Sequence, residues 1–175
     1  RKATERKLHL LATTDPLMKC FNLRHFLSCL RREFRTSRRR GDGLGFAMVD
    51  LDHFKRINDT FGHPVGDRLL KRVAGAFRQE LSDLGCLGRL GGEEFGVFLV
   101  GCSRSEATKV FEDFKIRVSN HPIRYMQSEI LVTISCGIHC GIFTKQTLLT
   151  DILKKADAAL YKAKNAGRNC VVVQD

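Results

Sequence analysis

A carboxylate at the end of a buried strand is costly unless a cation meets it, and this sequence places one there. Residues 44–51 form an apolar run that reads as a strand, and Asp50 falls inside its end, ahead of Leu51 and Asp52. A divalent metal is the natural partner of Asp50. Asp52 reads instead as the N-cap of a following short helix. A second cluster is Gly91-Gly92-Glu93-Glu94. Adjacent carboxylates at a tight turn repel each other, while two glycines let backbone and a ligand's phosphates come close. Taken with Asp50, the turn points to carboxylates converging on hard cations, the arrangement that transfers phosphoryl or nucleotidyl groups.

A third cluster is cationic. Lys55 and Asn58 share a face of the short helix, beside its apolar stripe Phe54, Ile57 and Phe61. Asp67 is expected in the first turn of the next helix, and Lys164 and Arg168 flank Gly167. A nucleoside triphosphate carries about −4, which two Mg²⁺ offset; Lys55, Lys164 and Arg168 then balance Asp50, Glu93 and Glu94, favouring a desolvated site. Asn58 and Asp67 suit a base edge, because a carboxylate accepts from N1–H and the exocyclic amine of guanine but meets a bare acceptor at adenine N1.

These groups need elements to hold them. Residues 1–12 read as the end of an incoming helix anchored by Leu8 and Leu11, broken at Asp15-Pro16. Asn22 caps a second helix to about residue 40, and the short helix after Asp52 is followed by one that opens at His63-Pro64. Strands at 86–90 and 95–100 flank the glycine turn as a hairpin in which both glycines supply positive φ. Ser103 caps a helix to about residue 118, 130–135 reads as a strand, 148–166 as a helix stopped by Gly167, and 171–173 as a last strand. Irregular alternation with one hairpin predicts a mixed sheet in an α/β (α+β) fold of ferredoxin-like type.

Composition sets the frame. With 175 residues, 43% hydrophobic and 28% charged, the chain is one domain with a real core, not a disordered, fibrous or membrane-spanning one. A net charge of +11 predicts an anionic partner. The cluster Arg31, Arg32, Arg35, Arg38, Arg39 and Arg40 fits a helix C-terminus ended by Gly41. Two Tyr and no Trp make a poor stacking platform for nucleic acid. Seven cysteines without a CxxC pair argue for reduced, packed thiols in a cytoplasmic setting. A start at Arg1 without a signal-peptide pattern is read as a piece cut from a longer protein.

Three segments together resemble the diguanylate cyclase, or GGDEF, domain: DLDHFKRINDTFGHPVGD at 50–67, RLGGEEF at 89–95 and ADAALYKAKNAGRN at 156–169. The likeness covers 14–173, leaving 1–13 as an incoming signalling helix and 14–175 as the catalytic domain. It implies a palm-type five-stranded sheet flanked by helices, related to nucleotide cyclase catalytic domains, and the reaction of two GTP to cyclic di-GMP and two pyrophosphates. By position, Asp50, the Leu51 carbonyl and Glu93 would hold two Mg²⁺ (or Mn²⁺) ions. Asn58 and Asp67 would read guanine with His63 near the nucleotide, and Lys55, Lys164 and Arg168 would bind phosphates, Lys55 also stabilising transition-state charge. Glu93 or Glu94 would be the base for the 3′-hydroxyl, and Arg89 would support the turn. The resemblance also implies a homodimer whose two sites face each other, an upstream sensory domain, and no nucleic-acid or direct membrane contact. The parent protein's own membrane attachment is left open.

The departures are local. The family's Arg-x-x-Asp feedback motif is replaced by Ser82 and Gly85, and glutamate stands at Glu93 where aspartate is usual. The family's D-x-L-T-G-L-x-N-R lead-in becomes Asp15-Pro16-Leu17-Met18-Lys19-Cys20-Phe21-Asn22-Leu23, without its Thr-Gly pair and first Arg. The alternative reading is a GTP-binding sensor of the same family without turnover.

Overall fold

The apolar run around residue 47 becomes the middle of the sheet. In the computed structural model, which describes residues 2–81 and 85–175, it forms β1 (Gly43–Leu51). Strands β3 (Glu94–Val100) and β6 (Ile134–Ile142) pair antiparallel on either side of it. The outer strands are β2 (Gly85–Gly91) and β7 (Val171–Gln174), giving the order β2-β3-β1-β6-β7 with β7 parallel to β6. The sheet is mixed and five-stranded, as expected. A central strand buries both faces, so β1 is apolar almost throughout instead of alternating; Leu44, Phe46, Ala47, Val49 and Leu51 are all 1% exposed or less.

Helices cover both faces. On one, α4 (His63–Leu81) and α5 (Arg104–Ser119) supply Val73, Phe77, Phe111 and Phe114 against Val49, Phe95 and Val97. On the other, α2 (Leu23–Arg40) and α6 (Leu149–Asn165) bring Phe26, Leu30 and Ile152 to Phe46 and Phe98. Phe26 sits so close to the sheet that a Cβ at Gly88 or Gly96, register partners on β2 and β3, would lie 2.4 or 2.6 Å from its ring. Ser103 and Glu106 form a full capping box on α5, and Gly41 ends α2 in the left-handed region behind Arg38, Arg39 and Arg40.

Three local expectations are corrected. The strand read at 130–135 lies further on, as β6, while the segment before it folds into a small hairpin of β4 (Ile123–Tyr125) and β5 (Ser128–Ile130). Gly137, His139 and Gly141 interrupt the apolar pattern of β6, whose place is fixed by pairing residue for residue with all of β1. His139, buried there, is satisfied by the Gln174 carbonyl at 2.8 Å, and burial pushes its pKa down. Leu8 and Leu11 in α1 (Lys2–Thr13) are not anchors: they are 61% and 65% exposed. Asp52 caps no helix. The residue before α3 (Phe54–Phe61) is His53, in the left-handed region at φ 58° and with no side-chain cap.

The lead-in segment is wired to the sheet. Asn22 caps α2 by accepting from the His25 N–H and donates to the Ala12 carbonyl at the end of α1. Asp15 accepts from the Leu17 and Met18 N–H groups and from Arg89. Burial pushes the Asp15 carboxyl up, but these donors outweigh it and hold the group below its usual range. Lys19, which stands where the family pattern has glycine, takes φ 57°. A side chain there is strained, so Lys19→Gly is expected to stabilise the protein by about 1 kcal/mol, read as a higher denaturation midpoint in urea.

Candidate active site

β1 and β3 deliver the carboxylates. Asp50 is the penultimate residue of β1, and its register partner across the antiparallel pair is Glu94. Glu93 and Gly92 form the tip between β2 and β3, with Gly92 at φ 47° at the first position of the turn, as in hairpins that match strand twist. Gly91 carries no positive φ, contrary to expectation, since it belongs to β2 beyond a register shift that follows Arg89. A Cβ at Gly91 or Gly92 would meet nothing within 4 Å. The two glycines therefore leave open space above the tip instead of serving close packing in the chain itself.

Arg89 fastens this tip, as expected. Its Nε and Nη2 donate to the Gly92 carbonyl at 3.1 and 2.9 Å, while Nη1 reaches Asp15 at 3.1 Å. Glu93 and Glu94 are both half-buried. Asp50 is buried at 6% exposure. Burial pushes the Asp50 carboxyl above its ordinary range; the charges of Glu93 and Glu94 push it the same way, against the pull of Lys164. Lys164, from the last turn of α6, sets its Nζ 2.8 Å from Asp50 Oδ2. The structure thus puts Asp50 within electrostatic reach of Glu93 and Glu94 and in an ion pair with Lys164.

A second group stands on α3 and α4. Lys55 is exposed in the first turn of α3, and His63 is exposed at the start of α4. Asp67 is exposed too, one residue past the first turn of α4 and not within it. Asn58 lies against α4 so tightly that a Cβ at Gly66 would be 1.9 Å from its Oδ1. That places the Asn58 amide beside the residue preceding Asp67. Asn58 Oδ1 is buried without a hydrogen-bond partner, an unmet acceptor that costs free energy until a donor arrives.

Asp52 is the residue that sequence reasoning misassigned. Its carboxylate accepts from Thr133 Oγ1 and Ser135 Oγ, each at 2.6 Å, and from the Asn169 N–H at 3.0 Å. Gly167, Arg168 and Asn169 all have positive φ, and the Asp52 bond pins this turn against the end of β1. Arg168 is exposed on this turn, next to the Asn169 that Asp52 holds. Nothing in the spacing of Asp52 marks partners 81 to 117 residues away. Asp52→Ala is expected to cost about 3 kcal/mol, since it removes a charged acceptor and strands three donors; urea denaturation of the variant checks it.

The donor set fits a magnesium-type ion. Among the described residues no group of three or more His, Cys, Asp or Glu side chains is arranged for a metal. Mg²⁺ generally takes one or two carboxylates together with ligand phosphates, which is the scale of Asp50, Glu93 and the carbonyl of Leu51. Excess negative charge at Asp50 and open space over Gly91 and Gly92 are what such a cation and its phosphates would use.

Residues 12–170 match the family model described as "Diguanylate cyclase, GGDEF domain". The chain belongs to the GGDEF family. It is 37% identical over 158 residues to "Diguanylate cyclase DgcP" of Pseudomonas aeruginosa, which covers 90% of this chain and 23% of that protein. It is 35% identical over 170 residues to "Probable diguanylate cyclase DgcC" of Escherichia coli, covering 94% of this chain and 44% of that one. The chain thus spans less than half the length of these relatives. Among solved structures, the coiled coil and GGDEF domain of DgcB from Caulobacter crescentus, in complex with c-di-GMP, superposes with a TM-score of 0.91. Its sequence identity is 27%, with 98% of this chain and 91% of that chain covered. The fold expectation, a palm-type sheet of the GGDEF family, is met. Of the two positions that replace the GGDEF feedback motif, Ser82 lies outside the described residues. Gly85 opens β2, where a Cβ would come 2.2 Å from the Phe98 carbonyl oxygen.

Proposed function

We propose that the chain is a diguanylate cyclase domain that condenses two GTP into cyclic di-GMP with release of two pyrophosphates. The observation that carries this reading is the convergence of Asp50, Glu93 and Glu94 at paired strand ends, where burial raises the Asp50 pKa, Lys164 pulls it back and the charges of Glu93 and Glu94 push it up. Family membership supports the same chemistry.

In this reading Asp50, the Leu51 carbonyl and Glu93 hold two Mg²⁺ (or Mn²⁺) ions. When bound, such ions neutralise the triphosphate and make the 3′-hydroxyl more acidic. The chain's own residues do the rest. Asn58 and Asp67 orient guanine, the unmet Oδ1 of Asn58 accepting from its N–H groups. His63 stands near the nucleotide at the start of α4. Lys55, Lys164 and Arg168 hold the phosphates, and Lys55, exposed and without an ion pair among the described residues, offsets charge as it builds. Glu93 or Glu94 takes the proton of the 3′-hydroxyl as its oxygen bonds to the α-phosphorus of the other GTP and pyrophosphate departs.

One chain holds one GTP, so two copies must face each other. Residues 1–13, of which Lys2–Thr13 form α1, are then the incoming segment from an upstream sensory domain, a signalling helix, and 14–175 form the catalytic domain. No helix among the described residues is long and apolar enough to cross a membrane. In this reading the domain works in the cytoplasm with GTP, not nucleic acid, as its anionic partner.

The test is incubation with GTP and Mg²⁺ at high protein concentration, or with α1 fused to a dimerising coiled coil. Cyclic di-GMP and pyrophosphate in a 1:2 ratio are expected. GTP binding without either product would overturn the reading in favour of a sensor.

A further inference from the structure

We propose that the cleft between α4 and α5 binds a small organic anion with an apolar body, such as a medium-chain or aromatic carboxylate. The cleft has a volume of about 540 Å³, the size of small-molecule sites. Its floor is Leu69, Val73, Val118 and Val132, all buried side chains. Two guanidinium groups stand at its edge, Arg72 and Arg117, together with His121.

These cations are not equivalent. Arg117 is matched by Glu80, Nη2 to Oε2 at 2.8 Å, and its carbonyl accepts from His121 Nδ1 at 2.7 Å. Arg72 is half-buried, and among the described residues it has neither an ion pair nor a hydrogen bond; burial alone lowers its pKa. A guanidinium drawn against an apolar floor without a counter-ion is unfavourable by itself. It presents a planar fork that a carboxylate would satisfy in two bonds while the rest of the molecule lies on the valines.

Gly75 is the independent observation. Glycine in the middle of a helix is destabilising relative to alanine, and here packing does not demand it. A Cβ at Gly75 would meet only the far end of Arg78, at an ordinary 3.7 Å. Gly66, on the same helix, would by contrast collide with Asn58. The missing side chain at Gly75 therefore deepens the cleft and does nothing else visible, and a local rule broken without packing gain marks a functional position.

The cleft is separate from the carboxylate site. None of Asp50, Asn58, Asp67, Glu93, Glu94 and Lys164 lines it. Gly85, the one of the two replaced feedback positions among the described residues, does not line it either. The proposal therefore stands whether or not the domain turns over GTP.

Its test is a titration of the whole chain with octanoate, kept below its micellar range, and with octanol, followed by amide chemical shifts. Octanoate is expected to shift the Gly75 and Val118 amides saturably. Arg72→Gln is expected to weaken octanoate at least tenfold and leave octanol unchanged. Gly75→Leu, which fills the cleft with a better helix former, is expected to weaken both at least tenfold. Absence of a saturable shift at these amides overturns the proposal, as does octanoate affinity unaltered in Arg72→Gln. Should Gly75→Leu not fold, Arg72→Gln decides alone.

Discussion

Glu93→Ala is expected to lower cyclic di-GMP synthesis by roughly a thousandfold or more, the equivalent of the several kcal/mol that charge stabilisation by a held metal supplies. Glu93 stands at the hairpin tip, fixed from behind by the two Arg89 bonds to Gly92, and its charge is felt at Asp50. Without it, Asp50 and a backbone carbonyl remain as ligands. The fold has no stake in the change: removing one of three mutually repelling carboxylates relieves strain, so the thermal midpoint should hold or rise. Glu93→Asp keeps the carboxylate and should retain turnover within about tenfold, since only reach is lost. Turnover of Glu93→Ala within tenfold of the unchanged chain would remove Glu93 from the metal set. A drop shared equally by Glu93→Asp and accompanied by unfolding would make its role structural.

The second large effect falls on stability. Gly137 lies in β6 where α6 crosses the sheet, and a Cβ there would sit 2.0 Å from the Leu160 nitrogen and 2.3 Å from the Ala156 carbonyl oxygen. Both are backbone atoms, so no rotamer change relieves the clash and α6 must lift. Overpacking of this kind costs typically 1–3 kcal/mol and more against rigid neighbours, and Gly137→Ala is expected to lose at least about 3 kcal/mol in urea denaturation. Lifting α6 also draws Lys164 away from Asp50, so substrate affinity should fall in whatever fraction stays folded. A variant as stable as the parent would mean that α6 can shift freely on the sheet.

The contrast between these two residues shows what the sequence could reveal. Glu93 and Asp50 were legible because carboxylates stood where the apolar pattern and the turn gave them no reason to be. Lys164 and Arg168 followed from charge balance around them. The mixed sheet was legible from the irregular alternation and the one hairpin, and its five strands only from the family resemblance. Gly137 gave no such signal, because the need for it arises in a helix that begins twelve residues later. The same holds for Asp52, whose partners Thr133, Ser135 and Asn169 are assembled only by folding. β6 was misplaced since its strand character comes from pairing with β1 and not from its own residues, two of which are glycine. Asn58 was legible as a polar residue beside an apolar stripe, but its buried, unmet oxygen was not.

The bond between Lys164 and Asp50 has a consequence for how the protein survives between turnovers. A buried acid cluster that relied on divalent ions for neutrality would unravel whenever they were scarce, as small zinc domains do. Here a tethered ammonium occupies the deepest acid, so maturation on the ribosome need not wait for magnesium, and stripping it with a chelator should silence the domain without melting it. If Lys164 holds a phosphate as proposed, it must let go of Asp50 to do so, which would make every round of loading an exchange of one positive charge for another.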